Sequence, residues 1–108
     1  MYIRIQNNSI RFRVSELEAQ SLIVGDELKD SFSVPNQQVL HYSVATSEND
    51  SFIFDSSNHL TLKVSIEKLK FELSTRPSKK GIQLEPSLTH HVEVFLEVDI
   101  KRTKGSLN

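Results

Sequence analysis

Arg4, Arg11 and Arg13 stand in the alternating segments "YIRIQ" and "SIRFRV", which flank Asn7-Asn8 near the start of the chain. A guanidinium is planar, keeps its charge and offers a fork of N–H donors that matches a carboxylate or a phosphate. Three of them on one surface could hold a phosphate, a carboxylate or an acidic partner, which makes Arg4, Arg11 and Arg13 the candidate binding residues. The chain also supplies an internal answer to their charge. Glu93, Glu97 and Asp99 alternate with apolar residues in "VEVFLEVDI", with Phe95 between them on the same face. Carboxylates beside guanidiniums on neighbouring strands would form a ladder of charge-assisted hydrogen bonds.

The other reactive side chains form no familiar set. His90 and His91 would point to opposite faces of an extended segment, and His41 and His59 have no His, Asp or Glu partner at a metal-binding spacing. With only Gly25, Gly81 and Gly105, the chain has no G-x-S-x-G elbow, phosphate loop or dinucleotide fingerprint. Glu97 and Asp99 are paired carboxylates, but strand-face acids opposite arginines are ordinarily solvated or salt-bridged rather than acid/base catalysts. The expectation is no catalytic residue, no metal site and no cofactor.

Bulk composition narrows the class further. At 108 residues the chain has the length of one domain, and Leu, Ile, Val and Phe are abundant enough to build a core. Thirteen basic residues face 14 acidic ones for a net charge of −1, which disfavours nucleic acid as a partner despite "RPSKK" and "KRTK". No segment reads as a signal peptide or a membrane span, and the absence of cysteine excludes disulfides and thiol chemistry. A cytoplasmic protein away from the membrane is expected.

The candidate residues need strands to carry them. Asn7-Asn8 suits a two-residue type I′ hairpin, which would oppose Arg4 to Arg11, Ile3 to Phe12 and Tyr2 to Arg13. Ile3, Ile5, Ile10 and Phe12 then share one face, and the arginines share the other. Ser15 and Glu18 read as a capping box for a helix bearing Leu17, Leu22 and Ile23, stopped at Gly25. "ELKDSFSV" and "VLHYSV" read as two further strands around Pro35–Gln38. The second half repeats the order: "SFIF", a turn at Asp55–Asn58, "HLTLKV", a helix capped by Ser65, a polar loop, "GIQLE" and Val92–Ile100. A constant shift of about fifty superimposes the halves and replaces Arg4, Arg11 and Arg13 by Phe54, Thr61 and Lys63. The arginine cluster is thus an addition that the architecture itself does not require.

The opening "YIRIQNNSIRFRVSELE" resembles a family of small uncharacterised bacterial proteins, a domain of unknown function whose members begin K-I-R-I-x-G-N-S-I-R-x-R-L and continue into a helix. A weaker resemblance runs from the Ser65 helix through "GIQLE" to "VFLEVDIK". The resemblance implies a bacterial domain with no assigned activity.

The expected architecture is α+β: a mostly antiparallel sheet or partial barrel from two strand-strand-helix-strand-strand repeats. The domain is expected over residues 1–102, with repeats at about 1–45 and 51–102 and a polar tail at 103–108. The leading functional reading is a non-enzymatic binding or protein-interaction module, with a protein partner or self-association. The alternative is a small-anion ligand-binding protein or enzyme using the arginine face.

Overall fold

The structure, a computed structural model, describes residues 1–35, 38–74, 81–89 and 91–99. Expectations resting on Asn36-Gln37, Arg76–Lys80, His90, Ile100 and the 103–108 tail lie outside the described residues. The first half contains strands β1 (Tyr2–Gln6) and β2 (Ser9–Ser15), helix α1 (Glu16–Ile23), and strands β3 (Leu28–Val34) and β4 (Gln38–Ser47). The second contains β5 (Ser51–Asp55), β6 (His59–Ser65), α2 (Ile66–Ser74), a two-residue β7 (Ile82–Gln83), a 3-10 turn (Pro86–Leu88) and β8 (Glu93–Asp99).

The strands form two four-stranded sheets, ordered β1-β2-β8-β7 and β3-β4-β6-β5. Pairing is antiparallel except at each centre, where β2 runs parallel to β8 and β4 parallel to β6. The fold is therefore α+β and mostly antiparallel, with no closed barrel. Each helix carries the chain from one sheet to the other, so each half contributes one hairpin to each sheet. The edges β1, β7, β3 and β5 stay separate instead of joining into a ring.

The first hairpin has the expected register, with Arg4 opposite Arg11 and Ile3 opposite Phe12. Its turn differs from the type I′ expectation. Only Asn7 takes a positive φ, 53°, whereas type I′ needs positive φ at both central residues; the pattern is that of type II′. The second hairpin turns through three residues: the Asn58 N–H bonds to the Asp55 carbonyl, and Asn58 has φ 59°. That extra residue changes the correspondence between the halves. Phe54 pairs with Leu60 and Ile53 with Thr61, so Ile53, rather than Phe54, stands where Arg4 stands.

The core lies between the sheets and under the helices. Phe12 meets Tyr42 and Phe52 edge-on, with ring centres 6.3 and 6.4 Å away, and these contacts join the two sheets. Phe12, Val14, Leu62, Val64, Val94 and Leu96 are buried along the central strands. Helix α1 packs on β2, β4 and β8, α2 packs on β6 and β7, and the helices touch each other. Leu17, expected on the packed face of α1, is 76% exposed; Ala19 and Leu22 are the residues α1 buries. In a helix this short the stripe set by Ala19 and Leu22 leaves Leu17 turned away. The expected capping box forms between Ser15 and Glu18, and Gly25 closes the helix at φ 103°. Gly25 N–H bonds to Leu22 and Asp26 N–H to Ser21, the paired bonds of a Schellman stop.

Candidate functional site

Parallel pairing of β2 with β8 sets Arg11 beside Phe95, Arg13 beside Glu97 and Ser15 beside Asp99. Arg11 Nη1 is paired with Glu97 Oε2, and the same guanidinium lies over the Phe95 ring, 4.2 Å from its centre. Phe95 is only 5% exposed although it belongs to the outer face, and Arg11 is part of what covers it. Arg13 Nη2 sits 3.2 Å from Asp99 Oδ1, and Arg13 Nη1 donates to the Tyr2 hydroxyl at 3.2 Å. Its contact with Glu97 is longer, 4.0 Å. The Tyr2 hydroxyl first, and then Asp99, raise the Arg13 pKa above its ordinary value by stabilising the charged form.

Of the three candidate arginines, Arg11 and Arg13 are thus joined to carboxylates. Arg4 is exposed opposite Arg11, with no ion pair among the described residues. The three line a polar hollow of about 290 Å³ together with Tyr2, Gln6, Ser9 and Glu97. Glu93, the third acid named from the sequence, pairs in register with Ser9 and is exposed. Among the described residues the ion pairs of this face join Arg11 and Arg13 to Glu97 and Asp99. The counterpart face of the other sheet is chemically different. His41 and His59 stand side by side with ring centres 6.1 Å apart, and Ser43 Oγ lies 3.1 Å from His59 Nε2. Ser43 is fully buried, which denies a substrate carbonyl access to its hydroxyl. No group of three or more potential metal ligands occurs among the described residues.

A second concave surface escaped sequence reasoning. Where the hairpin turns lie, the inner faces of the sheets part around a cleft of about 610 Å³. Ile5 and Ile10 line it from one sheet, Leu40, Phe54 and Leu60 from the other, and Thr89 and Val92 close its floor. Ile5 and Phe54 are each 59% exposed, Ile53 on the rim is 56% exposed, and Phe32, in register with Leu40, is 57% exposed. The fifty-residue shift sets Phe54 with Arg4 on the outer face, whereas pairing with buried Leu60 turns Phe54 inward. For Ile5 and Ile10 the inward direction follows from the alternation of the first hairpin. Alternation could not show that the opposite sheet stops short of covering them.

Two four-stranded sheets exchanging hairpins, with two helices on the core and an ion-paired arginine face, define a two-layer α+β domain. The chain belongs to DUF7009, a family of unknown function, whose model matches residues 1–103. No curated protein and no solved structure matches it. No described helix is long and apolar enough to cross a membrane.

Proposed function

We propose that this protein is a non-enzymatic binding module that recognises its partner at the parted end of the sandwich. The observation carrying this reading is the apolar cleft of about 610 Å³, rimmed by side chains that the fold leaves more than half exposed. Exposed apolar groups clustered around a concavity are a mark of interaction surfaces, whereas scattered ones are not. The ion pairs of Arg11 and Arg13 add support, since much of the charge on that face is spent within the chain. The free edges of β1 and β5 flank the same end, and this supports a protein partner or a second copy.

The cysteine-free composition supports a cytoplasmic location. The matching strand orders of the two sheets support an internal ββαββ repeat, and the family resemblance supports a bacterial source. A second reading, a small-anion site, draws on one observation: exposed Arg4 borders the polar hollow shared with Arg11 and Arg13.

Affinity capture from native lysate, with both proteins and small molecules identified, separates the two. The module reading expects a companion that is retained by Arg4→Ala and lost with Phe54→Glu. The reverse pattern overturns it in favour of the anion.

A further inference from the structure

The lining of the apolar cleft constrains what can enter it. Ile5, Ile10, Leu40, Phe54, Leu60 and Val92 present only hydrocarbon, and no lining residue is charged. An ionised group placed there would lose its hydration without a partner. Thr89 is the one polar side chain of the lining, and it is 2% exposed with its hydroxyl already donated to the Val92 carbonyl. The cleft is thus built to read shape and apolar area.

Size separates the possible occupants. Covering every exposed part of Ile5, Phe32, Ile53 and Phe54 would remove on the order of 400 Å² from water, taking large apolar side chains at about 150–250 Å² each. A standard protein interface buries about 800 Å² per partner, a little over half of it apolar, so a protein occupant would need nearly as much polar contact again from outside this uncharged lining. The cleft volume of about 610 Å³ instead falls within the roughly 300–1,000 Å³ of small-molecule pockets. Water held among these side chains finds few polar partners, so an entering hydrocarbon displaces poorly bound solvent.

We infer that the cleft is the binding site for a neutral apolar small molecule, a hydrocarbon chain or a fused aromatic ring system. This rests on the proposed binding function of the same end and names its ligand class. Because contact is apolar throughout, affinity follows buried hydrocarbon: each added methylene tightens binding roughly three- to fourfold until the cleft is filled.

The test uses the purified full chain and the neutral fluorophore N-phenyl-1-naphthylamine, displaced by 1-alkanols of increasing length. The expected result is saturable one-to-one uptake, with alkanol affinity rising along the series. Phe54→Glu should weaken uptake at least tenfold; at 59% exposure Phe54 contributes little to the buried core, so the variant should keep its melting temperature. Ile5→Gln, at the facing wall, should act likewise. Leu17→Glu, on α1 and 76% exposed, should bind as the original chain does. Absence of saturation, equal uptake by Phe54→Glu and Leu17→Glu, or affinity independent of alkanol length would overturn the inference. Sedimentation velocity on the same proteins separates it from the broader reading. A dimer dissolved by Phe54→Glu, with no probe uptake, removes the small molecule and leaves the interaction module standing. No Phe54-dependent probe uptake, dimer or captured companion removes both.

Discussion

Arg11 is held from two sides: its guanidinium covers the Phe95 ring at 4.2 Å from the centre, and its Nη1 is paired with Glu97. Parallel pairing makes both contacts possible, because Phe95 is the register partner of Arg11 and Glu97 lies two residues further along the same face. One side chain therefore offsets the repulsion from Arg4 and screens an aromatic ring that would otherwise face water.

Replacing Arg11 by alanine should cost about 0.5–2 kcal/mol, the sum of a partly exposed ion pair and a cation–π contact. A double-mutant cycle with Glu97→Gln should show coupling, because the two side chains share one bond. Urea denaturation measures both quantities. Melting with added sulfate tests the rival anion role: a structural Arg11 gives the original protein and Arg11→Ala the same sulfate response, whereas a binding role gives the original protein the larger stabilisation.

Glu18 provides the pH dependence. Burial pushes its pKa up, but the Met1 amino group at 2.6 Å, the Ser15 N–H at 2.8 Å and the Ser15 hydroxyl together hold it below the ordinary value. A carboxylate lowered in the native state stabilises the fold above its unfolded pKa, and that contribution is lost as pH falls through the native value. The stability gap between the original protein and Glu18→Gln should be full above about pH 5 and shrink as pH drops below about 4.3. Chemical denaturation across pH checks this, and a gap that widens in acid would contradict it.

The arginine face was legible in the sequence to an unusual degree, since period-two alternation about Asn7-Asn8 fixed both the register and the shared face of Arg4, Arg11 and Arg13. Glu97 and Asp99 were also readable as partners by alternation alone. That β8 would lie parallel to β2 was not readable, because parallel pairing of distant segments leaves no local pattern. The one-residue difference between the hairpin turns was hidden in a run of Ser and Asn, and it moved the counterpart of Arg4 from Phe54 to Ile53. The cleft was invisible for a different reason: alternation says which way a side chain points and nothing about whether the facing sheet reaches it.

The second helix shows the same limit and yields its own test. Ser65 was readable as a cap, but Lys68 stands three residues on, where a capping box would need Glu or Gln. Asp50 supplies the missing acceptor, taking the Ser65 N–H at 2.7 Å while its other oxygen holds Lys68 at 2.5 Å. Asp50→Ala should cost about 0.5–2 kcal/mol, as loss of a helix cap does. Asp50→Asn keeps an acceptor for Ser65 and should cost less. Equal losses in thermal melts of the two variants would show that the Lys68 ion pair, rather than the cap, carries the effect.

Gly81 and Gly25 both have positive φ, 75° and 103°, yet their surroundings differ in a way that separates two physical costs. At Gly25 a Cβ would meet nothing within 4 Å, so alanine there carries only the left-handed backbone penalty, about 1–2 kcal/mol. At Gly81 a Cβ would drive into the Leu96 carbonyl and the backbone at Glu97. Backbone cannot swing aside as a flexible side chain can, so β7 must move away from β8, adding an overpacking cost of about 1–3 kcal/mol. Gly81→Ala should therefore destabilise by about 2–5 kcal/mol in urea denaturation, clearly more than Gly25→Ala. The displaced backbone also carries Glu97, so coupling between Arg11 and Glu97 should weaken in Gly81→Ala and persist in Gly25→Ala. If both alanines cost the same and the coupling survives in each, the close approach of Gly81 to β8 does not position Glu97, and the arginine face is held by β2 alone.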